Sequence, residues 1–301
     1  MHLLQIPVLA LKEVFKMMNH KEIVVTSFTS KRAASIMQLC SIRTSSHIIF
    51  SPAEHFCHCK IGKIEFKLCE CCFLPRTLSY HLQKCNLYDQ QFDESTIRSF
   101  IERIVQIYHK PKVTLCFKDR IRDVFAVHLI RILNNGPLRN VEYDTTVSSE
   151  ECYKRVFNEA ATLESLIIKG KLTRYFRCSL SVPLNLNYLK ISGSCDWIKL
   201  EDFMNCKEVL IVPNYPIEQM TLERAENLNL FFKKLKLFEC KIEKFTFRAT
   251  FGSSTFLKVV DGLSDVHGFE PVEFTRNGKK KSTITWTNDY FGEIIMITTT
   301  D

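Results

Sequence analysis

The chain has 301 residues, 46% of them hydrophobic and 25% charged, which is enough for a sizeable core and for one to three domains. Its formal net charge is +8, but Lys and Arg are spread along the chain. The one dense run, Lys279-Lys280-Lys281, follows the turn signal Asn277-Gly278, so a nucleic-acid face with clustered cations is not expected. No apolar run approaches the roughly 20 residues that cross a bilayer, and Ile6–Leu11 is short for an export signal, so the 13 Cys are expected reduced, in cytoplasm or nucleus.

Pro7 suits a first helical position, where no backbone donor is missed. The spacing predicts a helix from Val8 to about Met18. On its wheel Val8, Leu11, Val14, Phe15, Met17 and Met18 fall within half the circumference, with Leu9 outside it and Lys12, Glu13 and Lys16 opposite. A core-facing stripe needs only about 100°, so this face is wide enough for a core and a partner. Asn19 followed by Glu22 predicts a capping box before a second helix, Glu22–Phe28. Ser30 can cap a third, running to about Leu39.

The ordered set Leu3-Leu4-Gln5-Ile6-Pro7, Leu11, Val14-Phe15, Met18, Glu22-Ile23, Phe28 and Ser30-Lys31-Arg32 resembles an F-box. Ile6 stands where that family often has Leu. The resemblance implies helices that bind a Skp-type adaptor and, through it, a cullin. The adaptor contacts it implies are Leu4, Ile6, Pro7, Leu11, Val14, Phe15, Met18 and Ile23. The alternative is a helical subdomain that serves only the chain's own core, because periodicity does not separate core from interface.

Strands are predicted at His47–Phe50, His55–Lys60 and Lys63–Leu68, with a hairpin turn at Gly62. Cys57 and Cys59 share one strand face, as do Cys69 and Cys71 if their strand continues. Cys69 and Cys72 have the spacing of a zinc pair, with His55, His58, His81 and Cys85 near in sequence. Cys57 and Cys59 stand one residue too close for the second pair. No metal site and no cofactor are expected; zinc binding is the alternative.

Helical stripes follow: Ile97, Phe100, Ile101, Ile104, Val105 and Tyr108, then a strand Val113–Phe117, then Ile121, Val124, Phe125, Leu129, Ile132 and Leu133. Tyr153–Ala160 and Glu223–Leu237 also read as helical. Among them an apolar-x-x-apolar-x-apolar triplet recurs. It stands at Leu138, Val141, Tyr143; at Leu163, Leu166, Ile168; and at Leu186, Leu189, Ile191. It returns at Cys206, Val209, Ile211; at Ile242, Phe245, Phe247; and at Phe269, Val272, Phe274. Strand-then-helix units at this period resemble a curved leucine-rich-repeat-like α/β solenoid; the alternative is an ordinary α/β domain. In a solenoid the triplets point inward, and alternation sends Glu142, Asp144, Ile167, Lys169, Lys190, Ser192, Leu210, Val212, Thr246 and Arg248 to the concave face. Its mixture of charged and apolar groups suits a protein ligand. Glu142, Asp144, Lys169, Lys190, Leu210 and Arg248 are the expected substrate contacts.

The segment Glu223–Leu237, with Asn227-Leu228-Asn229-Leu230-Phe231-Phe232-Lys233-Lys234, resembles the type 2 F-box-associated region of a large divergent family. So does Gly268-Phe269-Glu270 through Ser282-Thr283-Ile284, although Asn277 stands where the family often has Asp and the helix lacks its Trp. The resemblance implies that this region captures substrate.

Gly is scarce, at 9 residues, and no phosphate-binding loop or dinucleotide glycine fingerprint occurs. Gly193-Ser194-Cys195-Asp196-Trp197 resembles a cysteine-protease nucleophile segment only in part, since the preceding Cys is missing and Asp196 interrupts it. The expectation is therefore an α+β or α/β chain with an F-box at 1–42, a β-rich connecting segment at 43–95 and a solenoid-like recognition domain at 96–301. Its expected function is non-enzymatic: a substrate adaptor of an SCF-type cullin-RING ubiquitin ligase that raises the local concentration of an unidentified protein target. A solenoid interaction scaffold outside any ligase is the runner-up, and a zinc- or nucleic-acid-binding protein the third reading.

Overall fold

The computed structural model describes residues 7–29, 31–40, 47–53, 56–69, 94–108, 111–118, 121–144, 149–170, 180–193, 199–212, 220–250, 252–263, 270–276, 280–289 and 292–300. The chain divides into two compact units, 1–141 and 142–301. Both mix helix and strand.

The first unit opens with α1 (Val8–Met17), α2 (His20–Thr29) and α3 (Lys31–Leu39). Pro7 precedes the first helical residue, and its carbonyl accepts the Leu11 amide at 3.0 Å. The capping box forms as its residue types dictate. The Glu22 amide donates to Asn19 Oδ1 at 3.0 Å, and the Asn19 amide donates to Glu22 Oε2 at 2.8 Å. Strands β1 (His47–Ala53), β2 (Phe56–Ile61) and β3 (Ile64–Cys69) follow. Gly62, at φ 60°, makes the tight β2–β3 connection in a conformation that favours glycine. Next come α4 (Glu94–Ile107), β4 (Lys112–Phe117) and α5 (Asp123–Asn134); β5 (Leu138–Asp144) contains the division between the units. The strand order in this unit is β5-β4-β1-β2-β3, with β1 parallel to β4 and antiparallel to β2, and β2 antiparallel to β3.

The amino-terminal helices are fastened to this unit through α4. Phe100 stacks on Phe28 of α2, with ring centroids 5.7 Å apart, and meets Phe50 of β1 edge-on. Such pairs add about 0.5–1.5 kcal/mol beyond the area they bury. His20 Nδ1 and Tyr108 Oη hydrogen-bond at 2.9 Å. The α4 stripe is buried at Ile97, Phe100, Ile101, Ile104 and Tyr108, with Ile107 added and Val105 half-buried. In α5 the predicted stripe is corrected. Val124 is 74% exposed, and Ala126, Val127 and Ile130 are buried beside Phe125, Leu129 and Leu133. With the helix starting at Asp123, Val124 falls on the side of the wheel opposite Leu129.

The second unit holds α6 (Glu150–Glu159), β6 (Ser165–Lys169), β7 (Tyr188–Ser192), a 3-10 turn Leu200–Phe203, β8 (Glu208–Val212), α7 (Leu222–Leu237), β9 (Lys244–Ala249), α8 (Ser253–Val260), β10 (Val272–Arg276), β11 (Lys280–Asp289) and β12 (Gly292–Thr300). Ser149 caps α6 by accepting the Cys152 amide, and Thr221 caps α7 by accepting the Arg224 amide. The strand order is β6-β7-β8-β9-β12-β11-β10.

The triplet repeat becomes a parallel ladder. Leu166 pairs with Leu189, Leu189 with Val209 and Val209 with Phe245; the next row runs Ile168, Ile191, Ile211, Phe247. All these side chains are buried, as are Leu138, Val141, Tyr143, Leu163, Leu186, Cys206 and Ile242. The ladder ends at β9, where β12 pairs antiparallel with it. Val272 and Phe274 of the sixth triplet are buried too, but on β10, which pairs antiparallel with β11. Phe269 lies outside the described residues. The α7 helix is anchored by buried Asn229, whose Nδ2 donates to Val259 O and Asp261 O at the end of α8, both at 2.8 Å.

Candidate adaptor and target surfaces

The wide apolar face of α1 is divided by depth. Leu11 and Phe15 are buried, at 1% and 3% exposure, and Phe15 with Ile23 and Met37 adjoins Ile107 and Tyr108 in the interior of the first unit. Val14 and Met18 are half-buried, and Pro7 and Ala10 are exposed. Met17 is 88% exposed and Leu9 77%. Pro7, Ala10, Val14 and Met17 recur at three- and four-residue steps, so they form one ridge on the solvent side of the helix. Of the predicted adaptor contacts, Pro7, Val14 and Met18 therefore keep surface for a partner, whereas Leu11, Phe15 and Ile23 hold the helices together. Leu4 and Ile6 lie outside the described residues. Sequence reading left Leu9 outside the apolar face and put Met17 on it without dividing core from partner side, since a wheel shows direction but not which neighbour arrives.

The predicted target contacts of the second unit lie on one side of the ladder, alternating with the buried triplets. Glu142, Asp144, Lys169, Lys190, Leu210 and Arg248 are all half-buried. Across the strands, Ile167 pairs with Lys190, Lys190 with Leu210 and Leu210 with Thr246. The row continues to Met296 of β12 and Thr285 of β11. Ile294, Met296 and Thr285 thus extend a face that the triplet spacing had ended at β9. Their signal was present in Ile294-Ile295-Met296-Ile297, an apolar run typical of a strand with neighbours on both faces.

Charge on this face is internally organised. Lys169 Nζ lies 2.5 Å from Glu142 Oε1 and 3.4 Å from Asp144 Oδ2. The Glu142 hydrogen bond holds the Lys169 ammonium above its ordinary range, against desolvation that pulls the other way. Lys169 is committed to its neighbours, so its charge offers less to a ligand than its position suggested.

Buried thiols behave as apolar side chains. Cys57 and Cys59 are 0% and 1% exposed on the helix-covered side of β2, and burial pushes both thiols up, with Cys59 adding to the effect on Cys57. Among the described residues no group of three His, Cys, Asp or Glu is placed to hold a metal. His55, Cys71, Cys72, His81 and Cys85 lie outside the described residues, as does the Ser194–Trp197 segment. Among the described residues no helix is long and apolar enough to cross a membrane.

Residues 3–45 match the family model for the F-box domain. No curated protein and no solved structure matches the chain.

Proposed function

We propose that this chain is a substrate-recognition adaptor of an SCF-type cullin-RING ubiquitin ligase. The observation that carries the reading is the F-box match over residues 3–45, together with the exposed ridge of Pro7, Ala10, Val14 and Met17 on its first helix. In this reading the ridge receives a Skp-type adaptor, which links the chain to a cullin. The open face of the second unit, around Lys190, Leu210, Thr246 and Met296, receives a protein target. The chain itself transfers no ubiquitin; it acts by effective concentration, holding the target near the catalytic partner. The ladder β6–β9, with helical or 3-10 turns between several of its strands, supports a leucine-rich-repeat-like description of this part. Residues 223–237 and 268–284 are read, by resemblance, as a type 2 F-box-associated region.

The second reading is an interaction scaffold outside any ligase, and the burial of Leu11, Phe15 and Ile23 fits it equally well. The two separate on the exposed ridge. Co-expression with a Skp-type adaptor should yield a complex that co-elutes. Replacing Ala10 and Met17 together by Asp should abolish co-elution while leaving the urea midpoint near that of the parent, because both side chains face solvent. A parent chain that is folded and does not co-elute with the adaptor would sink the ligase reading and favour the scaffold; a folded double variant that still binds the adaptor would overturn the role given to the ridge.

A further inference from the structure

The second unit carries a cationic cavity that neither the adaptor ridge nor the open sheet face uses. It has a volume of about 340 Å³ and lies where the lead-in residues of β7, β8 and β9 meet the β10–β11 arm. Among the described residues four cationic side chains line it, Lys207, Lys241, Arg276 and Lys280, against one carboxylate, Glu243. Lys280, an exposed residue of the one dense basic run of the sequence, stands at the edge of this cavity.

The geometry of Arg276 gives this cavity a fixed positive floor. The side chain is 4% exposed. Its guanidinium donates to Ile242 O at 2.5 Å, Thr299 Oγ1 at 2.8 Å and Cys240 O at 3.0 Å, and it touches Cys240 Sγ. None of these described partners is a carboxylate. Burial pushes the Cys240 thiol up although Arg276 pulls it down, so the sulfur does not neutralise the cation at ordinary pH. A buried charge satisfied by neutral dipoles keeps its field, and a low-dielectric wall projects that field into the adjoining opening. Around the rim, Lys207 pairs with Glu243 at 3.2 Å, while Lys241 Nζ donates to Asn185 Oδ1 at 2.9 Å, a neutral acceptor that orients it without cancelling its charge.

We propose that this cavity binds an anionic segment of a protein, with side chains that carry carboxylates or phosphate monoesters. Charge complementarity selects the anion, because a second oxyanion acceptor near Arg276, Lys241 and Lys280 would gain charge-assisted hydrogen bonds. Among the described residues the lining contains no aromatic side chain on which bases could stack, which disfavours single-stranded nucleic acid. The cavity is large enough for one or two side chains of a chain passing over it. Its assignment to a ligase target rests on the adaptor reading above; the binding itself does not.

The test uses the full chain and labelled short peptides of polyglutamate, polyphosphoserine and polyglutamine. Either anionic peptide is expected to bind at least about tenfold more tightly than polyglutamine, the loss of one charge-assisted contact being worth roughly that factor. Which of the two binds more tightly identifies the oxyanion. Binding should weaken with salt and fall about tenfold or more in the double variant K241E/K280E, while Lys190→Glu on the open face leaves it unchanged. No preference for anionic peptides overturns the proposal, as does a folded K241E/K280E variant with undiminished affinity. Oligothymidylate binding through the same lysines, as tight as the peptides, overturns it in favour of a nucleic-acid site. Retained adaptor co-elution with no peptide binding sinks the cavity alone; peptide binding without adaptor co-elution sinks the ligase reading and leaves the cavity.

Discussion

At the scale of single residues, burial decides chemistry more than sequence spacing does. Of the described cysteines, Cys40, Cys57, Cys59, Cys152 and Cys206 are buried as apolar fillers, and burial disfavours the thiolates of Cys57, Cys59 and Cys206. Cys206 is 0% exposed, and burial pushes its thiol up to about 11, with the Leu186 backbone hydrogen bond pulling slightly back. Cys57 and Cys59 are shifted in the same direction. The sign of the stability effect follows directly. The folded state holds these protons more tightly than the unfolded chain, whose thiols release theirs near the ordinary value of 9.0. Stability from this source is complete below pH 9 and is lost as pH rises through the folded value. Each such thiol should contribute a fall of roughly 1.4 kcal/mol per pH unit above the unfolded value. Urea unfolding followed between pH 8 and pH 10.5 should show this slope, and Cys206→Ala should flatten it by about one proton's worth while lowering stability at pH 7. An unchanged slope in that variant would mean that Cys206 ionises in the fold.

At the scale of elements, the legible features were those written in local chemistry. The capping box needs only Asn19 and Glu22 at the right spacing, and it forms with both of its hydrogen bonds. Asn19→Ala should therefore cost about 1 kcal/mol of stability in a chemical melt. The triplets were legible because a half-buried strand alternates with period two, and four of them align in register across β6 to β9. What stayed hidden depended on partners distant in sequence. The α1 face looked uniformly apolar, yet Leu11 and Phe15 are buried while Val14 is half-buried and Met17 exposed, and the neighbours of Phe15 include Met37 of α3 and Ile107 and Tyr108 about ninety residues on. That separation predicts opposite behaviours from neighbouring positions. Leu11→Ala should cost about 2–5 kcal/mol of stability, whereas Met17→Ala should leave the melt nearly unchanged. The antiparallel closure by β12 was hidden for a different reason: its continuous apolar run carries no period that distinguishes strand from helix. Sequence alternation therefore found the part of this sheet face on β5 to β9 but not its extension onto β12, where Ile294 and Met296 stand.

At the scale of the whole molecule, the two proposed roles fall in different compact units, and this makes them separable. The adaptor ridge is built from residues before Met18 in the first unit, whereas the open face and the cationic cavity belong to the second. If the two roles are independent, substitutions at the ridge and in the second unit should act additively. The choice of residue matters on the open face. Lys169→Glu would set a carboxylate against Glu142 and Asp144, so a loss of target capture there would be mixed with loss of stability. Lys190→Glu with Leu210→Ser changes the centre of the same face without breaking that ion-pair cluster. In cells expressing the full chain fused to a proximity-labelling enzyme, this double variant should lose a subset of labelled proteins and keep the Skp-type adaptor. The Ala10→Asp, Met17→Asp variant should do the reverse, losing the adaptor and keeping the targets. If both variants lose both sets while remaining folded, the two surfaces act as one site and the division of labour between the units is wrong.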